Sequence, residues 1–320
     1  MTAVFGGALL MLAAWFIEVL FGYPDWLYRR IRHPVVWLGA LIDGLDQALN
    51  RPVLGHAPRY VLGMAATIAT VALAACAGVA VSVLLPASAP GFWAEAVIAS
   101  SLICSRSLYV HIAAVSGPLT ADDLTGARAA VAHVVGRETA ELPSEGVARA
   151  ALESLAESTS DGVVAPLFWG VVFGLPGLAA YKAINTLDSM IGHRDAHYAA
   201  FGGFAARLDD AANFLPARLT GLLVAVASLR PGAFTVMWRD AGRHRSPNAG
   251  WPESAAAGAL GVRLSGPRSY GGAESAEPWL NARAGDPGPD DLRSGLTLYC
   301  KALSLAALLL ASIAAWQLTP

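Results

Sequence analysis

The stretch ESLAESTSDGVVAPLF, residues 153–168, sets down three carboxylates and then runs directly into an apolar segment. Glu153, Glu157 and Asp161 are four apart, so a helix stacks all three on one face. Downstream, YKAINTLDSMIG (181–192) places Lys182, Asn185 and Ser189 at helical spacing, with Asp188 close to the same face. In AARLDDAANFLPARLT (205–220), Arg207 and Asp210 are three apart and Asp209 and Asn213 four apart. Polar groups this concentrated are costly beside lipid, so in a hydrophobic chain they mark chemistry or transport.

The surrounding chain is hydrophobic. Its 320 residues are 55% hydrophobic and 14% charged, with mean hydropathy +0.49. That composition belongs to multi-span membrane proteins. The expected fold is an all-α polytopic membrane protein, one integral membrane domain over 1–320, with a lipid bilayer as its solvent. It has about four to six spans, with re-entrant or interfacial helices and a loop-rich cytoplasmic part. The formal net charge of −2 gives no basic field for nucleic acid. Cys76, Cys104 and Cys300 all lie in apolar runs without CxxC or Cys/His spacing, which argues against a disulfide framework or a structural zinc. The first apolar run lacks a basic leader and a cleavage signal, so it reads as a retained span.

Segments 3–21, 61–85, 93–115 and 296–317 are long and apolar enough to cross, although Glu95, Arg106 and His111 interrupt the third. Segments 163–181, with GLPG at its centre, and 211–229, which opens on NFLPARLT, are ambiguous between short spans, re-entrant hairpins and interfacial helices. Loop charge arbitrates. The N-terminus, the 86–91 turn and the C-terminus carry no Lys or Arg, whereas 22–60, 117–162 and 230–294 carry several arginines. Placing those three segments in the cytoplasm requires both ambiguous runs to cross or neither. The four-span solution is preferred because it keeps the 182–207 block beside the other motifs. Segment 230–294, rich in Gly, Pro, Ala and Arg, is expected to be irregular, with no core of its own.

The Walker-type phosphate loop and GxGxxG, GxSxG and HExxH are all absent. What remains is a site of carboxylates, amides, Lys and Arg. Clustered acids suit Mg²⁺, which bridges readily to phosphates; Arg and Lys suit the phosphates themselves. The residues alone lead to a membrane-embedded, Mg²⁺-assisted site for a phosphorylated substrate.

Longer strings narrow this. VGRET (135–139), ALESLAESTSDGVVAPLFWG (151–170), YKAINTLDSMIGH (181–193), FGGFAARLDDAANFLPARLT (201–220), HRSPNAGWPESAAAGALGVRLSGPRSYGG (244–272) and GYPDWLYRRIRHPVVWLG (22–39) closely resemble the adenosylcobinamide-phosphate synthase family of cobalamin biosynthesis, CobD/CbiB. The resemblance runs from about Gly22 to Gly272. It departs at Ser158, where the family often has Asn, at Ser265, where Gly is common, and at Tyr23, where an acid is frequent; Asp25 follows two residues later. A ligand role for Ser158 and a metal role for the 22–25 corner therefore have no support.

The resemblance implies an inner (cytoplasmic) membrane enzyme, multi-pass, with its site facing the cytoplasm. It implies an ATP-dependent acid–amine ligase, with ATP as cosubstrate and Mg²⁺ as cofactor. The reaction joins (R)-1-amino-2-propanol or its O-phosphate (aminopropanol phosphate) to the f propionate carboxylate of adenosylcobyric acid through an ATP-derived acyl phosphate. Other late corrinoid-assembly enzymes are possible partners. Glu153, Glu157 and Asp161 become the Mg²⁺- or ATP-side carboxylates, with Asp161 also catalytic, and Asp209 and Asp210 a second metal pair. Lys182 would stabilise the acyl phosphate. Asn185, Thr186, Asp188 and Ser189 would orient the corrinoid amides. Arg137, Arg207 and Arg218 would contact phosphate. His244 would take the proton from the attacking ammonium, in a loop that also offers Ser246, Asn248 and Glu253 to substrate.

Each role has a structural rival. The 153–161 acids also suit a solvated helix face, and the second acidic pair a structural ion pair. Lys182 also suits a snorkelling interfacial lysine, the 185–189 group interhelical hydrogen bonds, the arginines lipid headgroups, and His244 a loop-structuring ring. The rival function is a corrinoid-binding membrane transporter or scaffold. The ligase requires the 153–161, 182–189, 207–218 and 244–253 segments to meet in one cytosol-facing pocket.

Overall fold

The computed structural model describes residues 6–136, 138–270 and 273–319. It is a predominantly helical protein with two short antiparallel ladders. The chain divides into two compact units, one comprising 1–104, 165–213 and 310–320 and the other 105–164 and 214–309.

The first unit contains α1 (Gly7–Phe21), α2 (Asp25–Ile31), α3 (Pro34–Leu49), α4 (His56–Leu84), α5 (Ala89–Ser100), α9 (Ala165–Ile191) and α10 (Gly203–Ala212). Local chemistry sets their ends. His33 caps α3 by accepting the Val35 N–H on Nδ1 at 3.2 Å, with Pro34 at the first helical position. The GLPG centre breaks α9, because Gly174 takes φ 68° and ψ −157° and Pro176 follows. Its core joins Ile42 of α3 and Ala66 of α4 to Leu187 and Ile191 of α9, around Phe201 and Ala205. Gly63 lies so close to the Phe201 carbonyl that a side chain there would overlap it, and a Cβ on Gly78 would sit 2.7 Å from Pro176 Cα.

The second unit contains α6 (Ser105–Thr120), α7 (Leu124–Val131), α8 (Ser144–Thr159), α11 (Phe214–Ser228), α12 (Pro231–Asp240), α13 (Gly250–Leu260) and most of α14 (Pro289–Leu318). A π-turn, Ser160–Val164, continues α8, and a 3₁₀ turn, Ala241–Arg243, continues α12. Strand β1 (Leu264–Ser265) pairs with β4 (Trp279–Leu280), and β2 (Arg268–Tyr270) with β3 (Ala273–Ser275). Ile112, Val115, Val147, Ala151, Leu155, Met237, Ala255, Leu292 and Tyr299 belong to one buried cluster. Segment 230–294 is therefore more ordered than its composition predicts. GWPESAAAGAL places Pro252 in a first turn and alanines after it, a favourable helix pattern that ends at left-handed Gly261, φ 75°.

Four helical stretches are long and apolar enough to cross a membrane: His56–Leu84, Ala89–Thr120, Ser144–Ile191 and Pro289–Leu318. The total rises to six if two bent helix pairs each count as one span. The membership differs from the preferred four-span set. Segment 163–181 lies within a qualifying stretch, whereas the described part of 3–21 forms a 15-residue helix bent by 107° against Asp25–Leu49. Fifteen residues rise about 22 Å, short of a hydrocarbon core of roughly 30 Å.

Candidate functional site

In the second unit, α8 carries Glu153 and Glu157, and the π-turn that continues it carries Asp161. Glu153 is buried, and its Oε1 accepts the Ser265 backbone N–H at 2.7 Å. That oxygen holds strand β1. Glu157 is exposed and Asp161 half-buried. Asp161 falls in the π-turn, which takes more residues per turn than an α-helix and so changes the register of the four-residue stack.

The loop between the 3₁₀ turn and α13 folds around His244. The Ser246 N–H donates to His244 Nδ1 at 3.1 Å, which leaves the neutral ring its proton on Nε2. Nε2 points towards Glu253 Oε1, 3.7 Å away; the two side chains are 5% and 2% exposed. With Nδ1 accepting that N–H, the other ring nitrogen is the one turned towards the carboxylate. The Ser246 Oγ accepts the N–H groups of Asn248 (3.3 Å) and Ala249 (3.2 Å), closing the loop. Arg218 donates to Asn248 Oδ1 at 3.3 Å and to the Phe214 carbonyl at 2.6 Å. Its guanidinium lies 3.5 Å from the Phe214 ring centroid and 4.7 Å from that of Trp251. Arg218, His244, Ser246, Asn248 and Glu253 are thus one connected group, as the spacing could not show.

In the first unit, α9 presents Lys182, Asn185, Thr186, Asp188 and Ser189. Two hydroxyls turn back onto their own helix: Thr186 donates to the Lys182 carbonyl at 2.7 Å and Ser189 to that of Asn185 at 2.8 Å. Asp209 is buried on α10. Its Oδ2 accepts Asn213 Nδ2 at 3.0 Å, and Asn213 Oδ1 accepts the Tyr181 hydroxyl at 2.8 Å. The charges of Asp188 and Asp210 both act on Asp209. Arg207 is exposed, donates to the Tyr60 hydroxyl at 3.1 Å and lies over that ring. Arg137 lies outside the described residues.

No group of three or more His, Cys, Asp or Glu that could hold a metal ion occurs among the described residues. Mg²⁺ usually takes one or two carboxylates together with substrate phosphates and water. Asp209 fits that pattern: its Oδ1 is buried, in a field of like charge from Asp188 and Asp210, with the Asn185 amide beside the carboxylate.

Three residues escaped the sequence pattern. Tyr181 and Trp251 read as ordinary apolar residues, though each lies within a motif string and one supplies a hydroxyl. Asp240 is 1% exposed, takes both arms of Arg239 (2.9 and 2.6 Å) and accepts the Asn281 N–H at 2.8 Å. Nothing in the one-dimensional spacing links residues 240 and 281.

The family description "CobD/Cbib protein" matches residues 11–299 of this chain. The chain belongs to the CobD/CbiB family. A cobalamin biosynthesis protein CobD of Rhodobacter capsulatus is 53% identical over 308 residues, 96% of this chain and 97% of that one. Proteins of the same name from Brucella suis and Rhizobium meliloti are 47% identical over 298 residues (90% and 91% of the two chains) and 43% over 315 residues (96% of each). No solved structure matches the chain. Membership of CobD/CbiB places it in cobalamin biosynthesis, as a membrane protein by its apolar helices.

Proposed function

We propose that this CobD/CbiB protein is an ATP-dependent ligase of the inner membrane, its site facing the cytoplasm. It joins (R)-1-amino-2-propanol or its O-phosphate to the f propionate of adenosylcobyric acid. A carboxylate is a poor electrophile. Transfer of the γ-phosphoryl group of ATP to a propionate oxygen makes an acyl phosphate; the amine nitrogen then bonds to the acyl carbon, phosphate leaves, and the ammonium gives up a proton. Mg²⁺ would supply charge neutralisation on the phosphates.

The chain's own residues meet those needs in each unit. Glu253, faced by His244 Nε2–H, is the buried base for the ammonium proton. Asn248 is held by Arg218 and presents a polar loop to substrate. In the first unit Asp209 would hold the cation, with Asp188 and Asp210 adding negative charge nearby, and Lys182 would meet the phosphoryl oxygens. Glu157 and Asp161 are the remaining acids for the nucleotide side, Glu153 having one oxygen on Ser265.

The observation that carries this proposal is the buried His244–Glu253 pair in a chain of this family. The test is purified protein in nanodiscs with adenosylcobyric acid, aminopropanol phosphate, ATP and Mg²⁺. Amide product with matching ADP and phosphate is expected. Substrate-independent hydrolysis, or corrinoid uptake into vesicles without product, would reject the ligase in favour of transport.

A further inference from the structure

The second unit holds a cleft of about 340 Å³ lined by Arg239, Asp240, Arg243, Ala282 and Arg283. None of these residues belongs to the motifs above. Two chain segments build it. The end of α12 and the 3₁₀ turn supply Arg239 and Arg243, four apart and so on one side. The turn after β4 supplies Arg283.

Asp240 locks the two walls together. Its carboxylate takes the Arg239 fork and the Asn281 N–H, while Asn281 Nδ2 donates to the carbonyls of Ala257 (3.3 Å) and Val262 (3.1 Å). Asn281 itself takes a positive φ of 55°. The cleft lining thus carries three guanidinium groups and one carboxylate, and its net charge is positive. Arg239 is committed to Asp240. Arg243 makes an ion pair at 3.6 Å with Asp240, too long for a hydrogen bond, and its side chain is 57% exposed. Arg283 is exposed and has no hydrogen-bond or ion-pair partner among the described residues.

A second arginine cluster in the same unit shows what a purely structural arrangement looks like. Arg149 and Arg263 share Asp286 at 3.2 and 2.5 Å and lie 4.8 and 4.3 Å from the Trp279 ring centroid. Both are tied to charge and ring. At the Asp240 cleft, by contrast, Arg243 and Arg283 keep donors directed to solvent around a concave surface.

We propose that the Arg239–Arg243–Arg283 cleft binds a phosphate group, presented either by a soluble molecule or by a lipid headgroup. Arg239, fixed by Asp240, forms the rigid wall, and Arg243 and Arg283 supply the donors for the anion oxygens. The site is independent of the ligase proposal, since it requires binding and no chemistry.

The test uses the full chain in phosphatidylcholine nanodiscs, titrated calorimetrically with pyrophosphate. Saturable binding is expected. The double variant Arg243→Gln/Arg283→Gln, which leaves the Asp240 lock intact, should weaken it by at least about tenfold. A parallel arm measures phosphatidylglycerol retention from mixed-lipid nanodiscs by native mass spectrometry. Variant-sensitive lipid retention without pyrophosphate binding assigns the phosphate to a headgroup. Equal behaviour of wild type and variant in both arms, or no binding of either probe, overturns the proposal. Phenylglyoxal footprinting of the wild-type protein gives the answer if the variant does not fold. Arg243 and Arg283 should be protected by the bound probe, and unchanged labelling at saturation refutes the site.

Discussion

The Nε2 atom of His244 faces Glu253 Oε1 across 3.7 Å inside the second unit, and neither side chain has appreciable contact with solvent. Glu253→Gln preserves volume and removes the base. Single-turnover amide formation should fall by about 10²–10⁴-fold, the usual worth of a positioned proton acceptor. His244→Gln should fall too, by less, because the ring orients the acid. Wild-type rates in folded Glu253→Gln would remove the carboxylate from the reaction.

The Tyr181–Asn213–Asp209 chain makes a separable prediction in the first unit. Tyr181→Phe removes one hydroxyl and leaves buried Asn213 Oδ1 without that donor. A loss of about 1–2 kcal/mol is expected, measured by reversible unfolding in mixed micelles. Asp209→Asn removes the charge while keeping the shape, so it should weaken Mg²⁺ dependence more than stability.

Asp240 gives stability a dependence on pH. The hydrogen bonds from Arg239 hold its carboxyl below the ordinary carboxylate range, so the native state favours the ionised form. Its contribution is complete above the unfolded value of about 3.9 and is lost as pH falls through the lower folded value. The stability gap between wild type and Asp240→Asn should be flat from about pH 7 to 5 and shrink below about pH 4. A gap that widened on acidification would contradict the assignment. At neutral pH the gap should be about 2–3 kcal/mol, less than a fully buried pair because Arg239 is half-exposed.

Gly63 meets the Phe201 carbonyl where α4 passes the turn before α10. Gly63→Val cannot be placed without moving backbone. A stability loss of about 1–3 kcal/mol or more is expected, with reduced yield and a lower melting temperature in detergent. Gly44, which has open space around it, serves as the control and should accept Ala freely.

Sidedness is open to direct measurement. Ser189 is exposed at the end of α9. In a background with Cys76, Cys104 and Cys300 replaced, Ser189→Cys should resist an impermeant maleimide in intact cells and react in inverted vesicles. Labelling from outside would place the 182–210 block on the far face and reject the cytoplasmic site.

Helical character and the number of spans were legible because long apolar runs have few other solutions. The choice of spans was less so. GLPG looked like a stop, yet the structure absorbs it as one break at Gly174 within α9. Segment 230–294 reads as irregular because it is rich in Gly, Pro, Ala and Arg, although the alanines of α13 carry helix propensity and bury well. Among the site residues, local spacing placed Glu153 and Glu157 on one helix. It missed that Glu153 holds a strand and that Asp161 falls within the π-turn. The link from Arg218 to Asn248 spans 30 positions and that from Asp240 to Asn281 spans 41. Pairings at that range come from tertiary packing, which periodicity does not encode.

The bond from Ser265 to Glu153 joins an acid to an amide made 112 residues later. A nascent chain that stops before Leu264 keeps the anion in an apolar wall and lacks the donor meant for it. Such a fragment carries a built-in defect at the heart of its second unit.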